Sequence, residues 1–158
     1  MQTIRLLALD LDGTLLNSRK ELTPRTKAAL CAAAEAGVEI VPTTGRIFCG
    51  MPQAVRELPF LHYAVAINGA QVYDSLESRT LLREELTPAL AMQMLQFLET
   101  RNVVRGVYID GLGHMSLSDY EEIDDVAATP ATSALMRRSY QTDEDLDAVT
   151  AQHDSVQK

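Results

Sequence analysis

The fold of this chain is decided by residues 6–16, Leu-Leu-Ala-Leu-Asp-Leu-Asp-Gly-Thr-Leu-Leu, where an apolar run stops at two carboxylates. An all-apolar run this short is typical of a parallel strand that is buried on both faces. In open α/β sheets, ligands bind outside the carboxyl ends of such strands. We therefore expect Asp10 and Asp12 to lie at the functional edge of a parallel sheet.

The two acids and the glycine after them are typical of a metal and phosphate site. Two carboxylates this close repel each other unless a cation or a positive dipole joins them. Carboxylate oxygens suit Mg²⁺, which prefers to be shared with phosphate oxygens. Gly13 lets the backbone turn sharply, so that successive N–H groups can point at one anion. The alternative is an ordinary turn after a strand, because Asp and Gly dominate turns for local reasons.

The sequence Asp-Leu-Asp-Gly-Thr-Leu-Leu after an N-terminal strand resembles the first signature of the haloacid dehalogenase-like (HAD) superfamily, whose members are mostly phosphatases. The resemblance implies that Asp10 is the nucleophile, which forms an aspartyl-phosphate, and that Asp12 is the general acid and then the general base. The covalent intermediate splits a difficult displacement into two steps. We expect Mg²⁺ to bind at Asp10 and Asp12 and to neutralise charge on the phosphoryl oxygens, with Gly13 in the phosphate-binding turn.

A second signature follows the next predicted strand, in residues 42–46, Pro-Thr-Thr-Gly-Arg. A Thr hydroxyl beside a Gly at a strand end is well placed to donate to a phosphoryl oxygen. The motif resembles the one found in the Cof-like branch of capped sugar-phosphate phosphatases. By that resemblance Thr44 binds phosphate, with Thr43 and Gly45 beside it. Arg46 is a candidate contact to phosphate or substrate, and a solvated Arg at a helix start is the alternative.

A third strand signal, Ala-Val-Ala-Ile-Asn-Gly-Ala in residues 64–70, leads into a predicted hairpin. The Cof-like branch commonly shows Asn-Gly-Ala at this place, so the resemblance covers three elements in order. Asn68 is therefore a candidate for the substrate cleft. Ordinary Asn-Gly turn chemistry is the alternative explanation.

The order of the predicted elements indicates two domains. Strands and helices alternate in the first half, which predicts an α/β fold with a Rossmann-like, doubly wound parallel sheet. From Thr87 onward a helix is followed by two strands, which predicts an α+β module, and the helix carries Leu90, Met94 and Phe97 on one face. The resemblance places an inserted cap here. We expect residues 1–85 to form the N-terminal part of the core domain and residues 86–158 the first part of the cap, with 118–142 irregular.

Composition narrows the possible partners. The net charge is −8, from 14 basic and 22 acidic residues, which disfavours nucleic-acid binding because that requires a basic surface. No apolar run approaches the length of a membrane span, and the N-terminus lacks the features of a signal peptide. We expect a cytoplasmic protein that binds a small phosphorylated metabolite, no nucleic acid and no membrane.

The resemblance covers only part of the family pattern. Family members continue with a Lys and a Gly-Asp motif, which do not follow the cap segment in these 158 residues. We expect a Mg²⁺-dependent phosphohydrolase of sugar-phosphate-like metabolites, represented by its N-terminal portion. A phosphotransferase or mutase on the same scaffold is one alternative. Another is an inactive remnant or interaction module, whose exposed apolar strand edge would support a homo-oligomer.

Overall fold

The computed structural model describes residues 4–158, and the chain divides into two compact units between Arg83 and Glu84. The first unit is an α/β layer built on a five-stranded sheet. The second unit combines a three-stranded sheet with five helices in the described residues.

The sheet of the first unit has the strand order β1-β2-β3-β4-β5. The first three strands are parallel, and the last two continue from them as antiparallel hairpins. The strands are β1 (Leu6–Asp10), β2 (Glu39–Thr43), β3 (Tyr63–Ala66), β4 (Gln71–Asp74) and β5 (Arg79–Arg83). The helices are α1 (Pro24–Glu35) and α2 (Gln53–Arg56).

Helix α1 provides the crossover that returns the chain parallel to β1. The Thr23 hydroxyl caps the helix by accepting a hydrogen bond from the Thr26 backbone N–H at 3.1 Å, and Pro24 fixes the first turn. Gly37, with a φ of +82°, follows the end of the helix in the left-handed region. These local signals make the helix readable from sequence.

The sequence of residues 48–58 predicts one helix, but the structure divides this stretch into two short helical turns. A 3₁₀ turn spans Phe48–Gly50, and α2 begins only after Pro52. Proline has no backbone N–H and disfavours helical geometry in the residue before it, so the two turns cannot merge.

Strand β1 is not buried on both faces as its apolar sequence predicted. Leu6 keeps 57% of its surface exposed, and Ala8 and Asp10 are exposed as well. In the part of the chain that the structure describes, β1 pairs with β2 alone and is therefore an edge strand. An apolar sequence shows that a strand can be buried. Whether it is buried depends on the elements that cover its faces and pair with its edges.

The sheet of the second unit has the order β6-β7-β8, in which β6 and β7 form a hairpin and β7 and β8 run parallel. The strands are β6 (Val107–Ile109), β7 (Leu112–Ser116) and β8 (Tyr140–Asp143). The helices are α3 (Pro88–Glu99), α4 (Leu117–Glu121), α5 (Ile123–Val126), α6 (Pro130–Ser139) and α7 (Leu146–Gln152).

One prediction for the second unit is wrong. The stretch 118–142 is not irregular: it forms α4, α5 and α6, and the side chains of Ser116 and Thr129 cap two of these helices. Short polar helices that depend on caps carry little apolar periodicity, which explains the misreading.

The face of α3 that carries Leu90, Met94 and Phe97 is not the buried face of the helix. Leu90, Met94 and Phe97 are 44%, 49% and 60% exposed, whereas Ala91 and Leu95 pack into the core of this unit. A helix that is apolar nearly all round offers more than one stripe, and the pattern cannot choose between them.

Candidate active site

The carboxyl ends of β1 and β2 bring the two predicted motifs together. The parallel register pairs Asp10 with Thr43, and Thr43 in turn pairs with Val65 of β3. Residues that end neighbouring parallel strands lie at one edge of the sheet, which is where such folds bind ligands. Asp10 and the Thr-Thr-Gly-Arg segment therefore share one edge.

A tight turn after β1 presents the two acids differently. The Leu15 and Leu16 amides donate to the carbonyls of Asp10 and Leu11 at 3.1 and 2.8 Å. Gly13 has a φ of +85°, a conformation that residues with a Cβ rarely adopt. The turn leaves the Asp10 side chain exposed, with its Oδ1 accepting from the Leu11 amide at 2.8 Å.

The Asp12 carboxylate is held by two cations. Arg46 grips it as a fork, with Nε 2.8 Å from Oδ2 and Nη2 2.6 Å from Oδ1. Lys20 Nζ lies 2.8 Å from the same Oδ1. The hydrogen bond from Arg46 holds the pKa of Asp12 below its usual value, partial burial opposes this effect, and the hydrogen bond from Lys20 adds to it. Asp12 is therefore an ionised, compensated carboxylate at neutral pH.

The position of Arg46 decides between the alternatives left by its sequence. The side chain is only 7% exposed, and its Nη1 donates to the Gly50 carbonyl at 3.1 Å. It is not a solvated helix-start residue, and in this arrangement its guanidinium is directed at Asp12. Contact between Arg46 and phosphate stays a prediction.

The bend through Thr44, Gly45 and Arg46 is braced by Asn68 and by Ile67, whose amide donates to the Arg46 carbonyl at 2.9 Å. Thr44 Oγ1 accepts from the Arg46 amide at 3.2 Å, and the carbonyl of Thr44 accepts from the Asn68 amide at 3.1 Å. A Cβ added to Gly45 would lie 2.5 Å from Asn68 Oδ1, so a larger residue here would require the Asn68 side chain to move. Asn68 itself sits in the left-handed region with a φ of 55°, which Asn tolerates better than most residues.

Thr43 plays a more peripheral part in this geometry. It is half-buried, and its hydroxyl donates to the Val41 carbonyl at a long 3.4 Å. Thr44 is buried and lies within the bend itself. The structure thus brings together Asp10, Asp12, Thr44, Arg46 and Asn68, while Lys20 is a site residue that sequence reasoning missed. Lys20 lies in the loop after the Asp10 and Asp12 turn and belongs to no motif, so its sequence position did not indicate a site residue.

The two carboxylates differ in how well they suit a metal ion. Among the described residues, no cation pairs with Asp10, whose exposed carboxylate fits a Mg²⁺ ligand. Both oxygens of Asp12 already accept hydrogen bonds from Arg46 or Lys20. Within residues 4–158, no group of three or more His, Cys, Asp or Glu side chains is arranged to hold a metal. Mg²⁺ often binds through one or two carboxylates, waters and a phosphate, and Asp10 fits such a site.

The chain belongs to the haloacid dehalogenase-like hydrolases, since the model of that family matches residues 7–155. It is 34% identical over 109 residues to the pyridoxal phosphate phosphatase YbhA of Escherichia coli (strain K12), covering 68% of this chain and 40% of that protein. It is 32% identical over 105 residues to the phosphatase YwpJ of Bacillus subtilis (strain 168), covering 66% of this chain and 36% of that protein.

Solved structures share the fold. A haloacid dehalogenase-like hydrolase from B. subtilis superposes with a TM-score of 0.76 at 24% identity, over 92% of this chain and 56% of that one. The predicted family and the Rossmann-like α/β class are therefore confirmed. The chain spans 40% or less of the two curated relatives named above.

None of the helices described in residues 4–158 has both the length and the apolar character needed to cross a bilayer.

Proposed function

We propose that the protein is a Mg²⁺-dependent phosphatase of small, sugar-phosphate-like metabolites, and that this chain supplies its nucleophile and part of its phosphate site. The supporting observation is the contrast between the two acids of one turn. The Asp10 carboxylate is exposed and pairs with no cation among the described residues, as suits a nucleophile, whereas Asp12 is oriented by a buried arginine. This division suits one carboxylate that attacks phosphorus and another that moves protons.

The chemistry then proceeds in two displacements. Asp12, which is ionised in the free chain, first takes up a proton from solvent. An Asp10 oxygen then attacks phosphorus, the bond from phosphorus to the leaving oxygen breaks, and Asp12 gives that oxygen its proton. Water next attacks the phosphoryl group, Asp12 takes the proton from water, and the bond to Asp10 breaks to release phosphate. A Mg²⁺ ion at Asp10 would neutralise charge on the phosphoryl oxygens. Arg46 keeps Asp12 ionised and oriented for the step in which it acts as a base.

The phosphoryl oxygens would meet donors from both strand ends. Thr44 Oγ1 accepts from the Arg46 amide, which leaves the hydroxyl hydrogen available to a phosphoryl oxygen. The turn at Gly13 supplies backbone N–H groups beside Asp10. Thr43 and Gly45 line the same edge, and Asn68 lies against Gly45, where it would contact the substrate.

The substrate class rests on the relatives. Two of them are named as phosphatases of small phosphorylated compounds: the pyridoxal phosphate phosphatase YbhA and the 5-amino-6-(5-phospho-D-ribitylamino)uracil phosphatase YcsE of Bacillus subtilis (strain 168), whose name includes a phosphorylated, sugar-derived ribityl group. We infer that residues 1–85 belong to the catalytic core and residues 86–158 to an α+β cap that selects the leaving group. Cytoplasmic location and a homo-oligomer through the exposed edge of β1 stay predictions.

A pair of matched variants tests this assignment in the whole protein. Asp10→Asn should abolish Mg²⁺-dependent release of phosphate from p-nitrophenyl phosphate, because an amide cannot replace the attacking carboxylate. Glu35→Gln removes the same charge from an exposed position at the end of α1 and should leave the rate unchanged. Full activity of the Asp10 variant would contradict the proposed nucleophile.

A further inference from the structure

Lys20 is a cation at the site to which the mechanism above gives no task. Its ammonium lies 2.8 Å from Asp12 Oδ1, the oxygen that also accepts from Arg46 Nη2 at 2.6 Å. The two cations are held very differently. The Lys20 side chain is 40% exposed, whereas that of Arg46 is 7% exposed and is also anchored on the Gly50 carbonyl.

The loop that carries Lys20 is fixed by its own hydrogen bonds. Asn17 Oδ1 accepts from the amides of Arg19 and Glu21 at 2.9 and 3.0 Å, and the Asn17 carbonyl accepts from the Lys20 amide at 2.9 Å. Lys20 has a φ of 62°, in a region that residues with a Cβ disfavour. Such backbone outliers persist where the surroundings over-determine them, and they cluster at ligand sites.

The neighbouring charges of this loop are paired with each other. Arg19 Nε lies 2.9 Å from Glu21 Oε2, and both side chains are more than half exposed. The loop therefore directs one ammonium group, that of Lys20, to the Asp10 and Asp12 turn. Lysine suits this position because its ammonium is a compact charge on a flexible stem with three rotatable donors.

We propose that Lys20 is a phosphate-binding residue that pairs with Asp12 in the free protein and moves to the phosphoryl group of a bound phosphate monoester. This inference rests on the proposed function and adds a residue that lies outside the three motifs described above. Asp12 keeps both hydrogen bonds from Arg46 when Lys20 leaves, so its negative charge remains paired after the exchange. A phosphate dianion beside Asp10 offers the ammonium a larger opposite charge than one shared carboxylate oxygen.

The direct test is a titration of the chain with inorganic phosphate in the presence of Mg²⁺, followed by NMR signals of backbone amides and lysine Nζ groups. Lys20→Gln should weaken phosphate binding about tenfold, as expected for the loss of a charged hydrogen bond. Lys20→Arg should retain most of the affinity. The matched control is Lys27→Gln, which removes the same charge from an exposed position on α1 and should leave the affinity unchanged.

A double-mutant cycle tests the exchange itself. Asp12→Asn removes the partner that Lys20 must leave, so Lys20→Gln should cost about threefold more affinity in the Asp12→Asn background than in the unmodified chain. Equal costs in the two backgrounds would contradict the exchange. The phosphate-induced shift of the Lys20 Nζ signal should accompany binding and be absent for Lys27.

The outcomes separate this inference from the proposed function. Phosphate binding that Lys20→Gln and Lys27→Gln leave equally intact would overturn the role of Lys20 alone, and Lys20 would then only neutralise Asp12. Absence of phosphate binding by the unmodified chain would contradict both proposals. A thermal unfolding midpoint of Lys20→Gln close to that of Lys20→Arg would show that lost binding is not lost folding.

Discussion

Replacement of Arg46 by methionine should lower the free energy of unfolding of the first unit by about 2–3 kcal/mol, as estimated for lost charged hydrogen bonds. The guanidinium donates two hydrogen bonds to Asp12 and one to the Gly50 carbonyl, and Gly50 is buried. A broken buried ion pair costs about 3–5 kcal/mol. We expect less here, because the Asp12 side chain is 33% exposed and water can replace part of what it loses.

Urea unfolding at neutral pH, followed by backbone amide signals of β2, measures this cost for the first unit. Arg25→Met, an exposed arginine in the first turn of α1, is the control and should change the stability by less than about 0.5 kcal/mol. Adding Asp12→Asn to Arg46→Met should cost little more, since the two side chains stabilise each other. A loss for Arg46→Met no larger than that of the control would refute the reasoning.

Three further predictions concern packing and charge. Gly45→Ala should lower the melting temperature, because the new methyl would meet Asn68 Oδ1 at 2.5 Å, and restoration by a second change of Asn68 to Gly would show that this contact is the cause. Leu95→Ala, in the buried core of the second unit, should cost about 2–5 kcal/mol in urea unfolding, and a cost near zero would contradict that packing. The pKa of Asp124 is held low first by the hydrogen bond from Arg137 and then by that from Ser133. The stability that this carboxylate contributes is therefore present above its unfolded pKa and is lost as the pH falls through its folded pKa. An NMR titration of Arg137→Gln should show a higher pKa for Asp124, and an unchanged pKa would exclude Arg137 as the cause.

The parts of the fold that depend on local chemistry can be predicted from sequence. Thr23 and Pro24 start α1 through capping and a fixed φ, and these causes act within one turn of chain. The common edge of Asp10 and Thr43 was predictable as well, because strands joined by a helical crossover run parallel and end on the same side.

The rest depends on contacts that no local pattern encodes. The paired hydrogen bonds from Arg46 to Asp12 join residues 34 positions apart. The contact between Lys20 and Asp12 depends on the positive φ of Lys20 and on the hydrogen bonds of Asn17 that close its loop. The exposure of Leu6 depends on which strands lie beside β1. Roles for site residues can be proposed from motifs, but only the folded structure shows which charged side chains contact each other.

In the proposed mechanism, Asp10 becomes phosphorylated during turnover. The most direct measurement is borohydride reduction of the whole protein during turnover of a phosphate monoester with Mg²⁺, followed by mass spectrometry of the peptide that contains the Asp10 and Asp12 turn. We expect conversion of Asp10 to homoserine, with Asp12 unchanged, because borohydride reduces an acyl phosphate and spares a free carboxylate. Turnover without modification of Asp10, or modification of Asp12 in its place, would contradict the assignment.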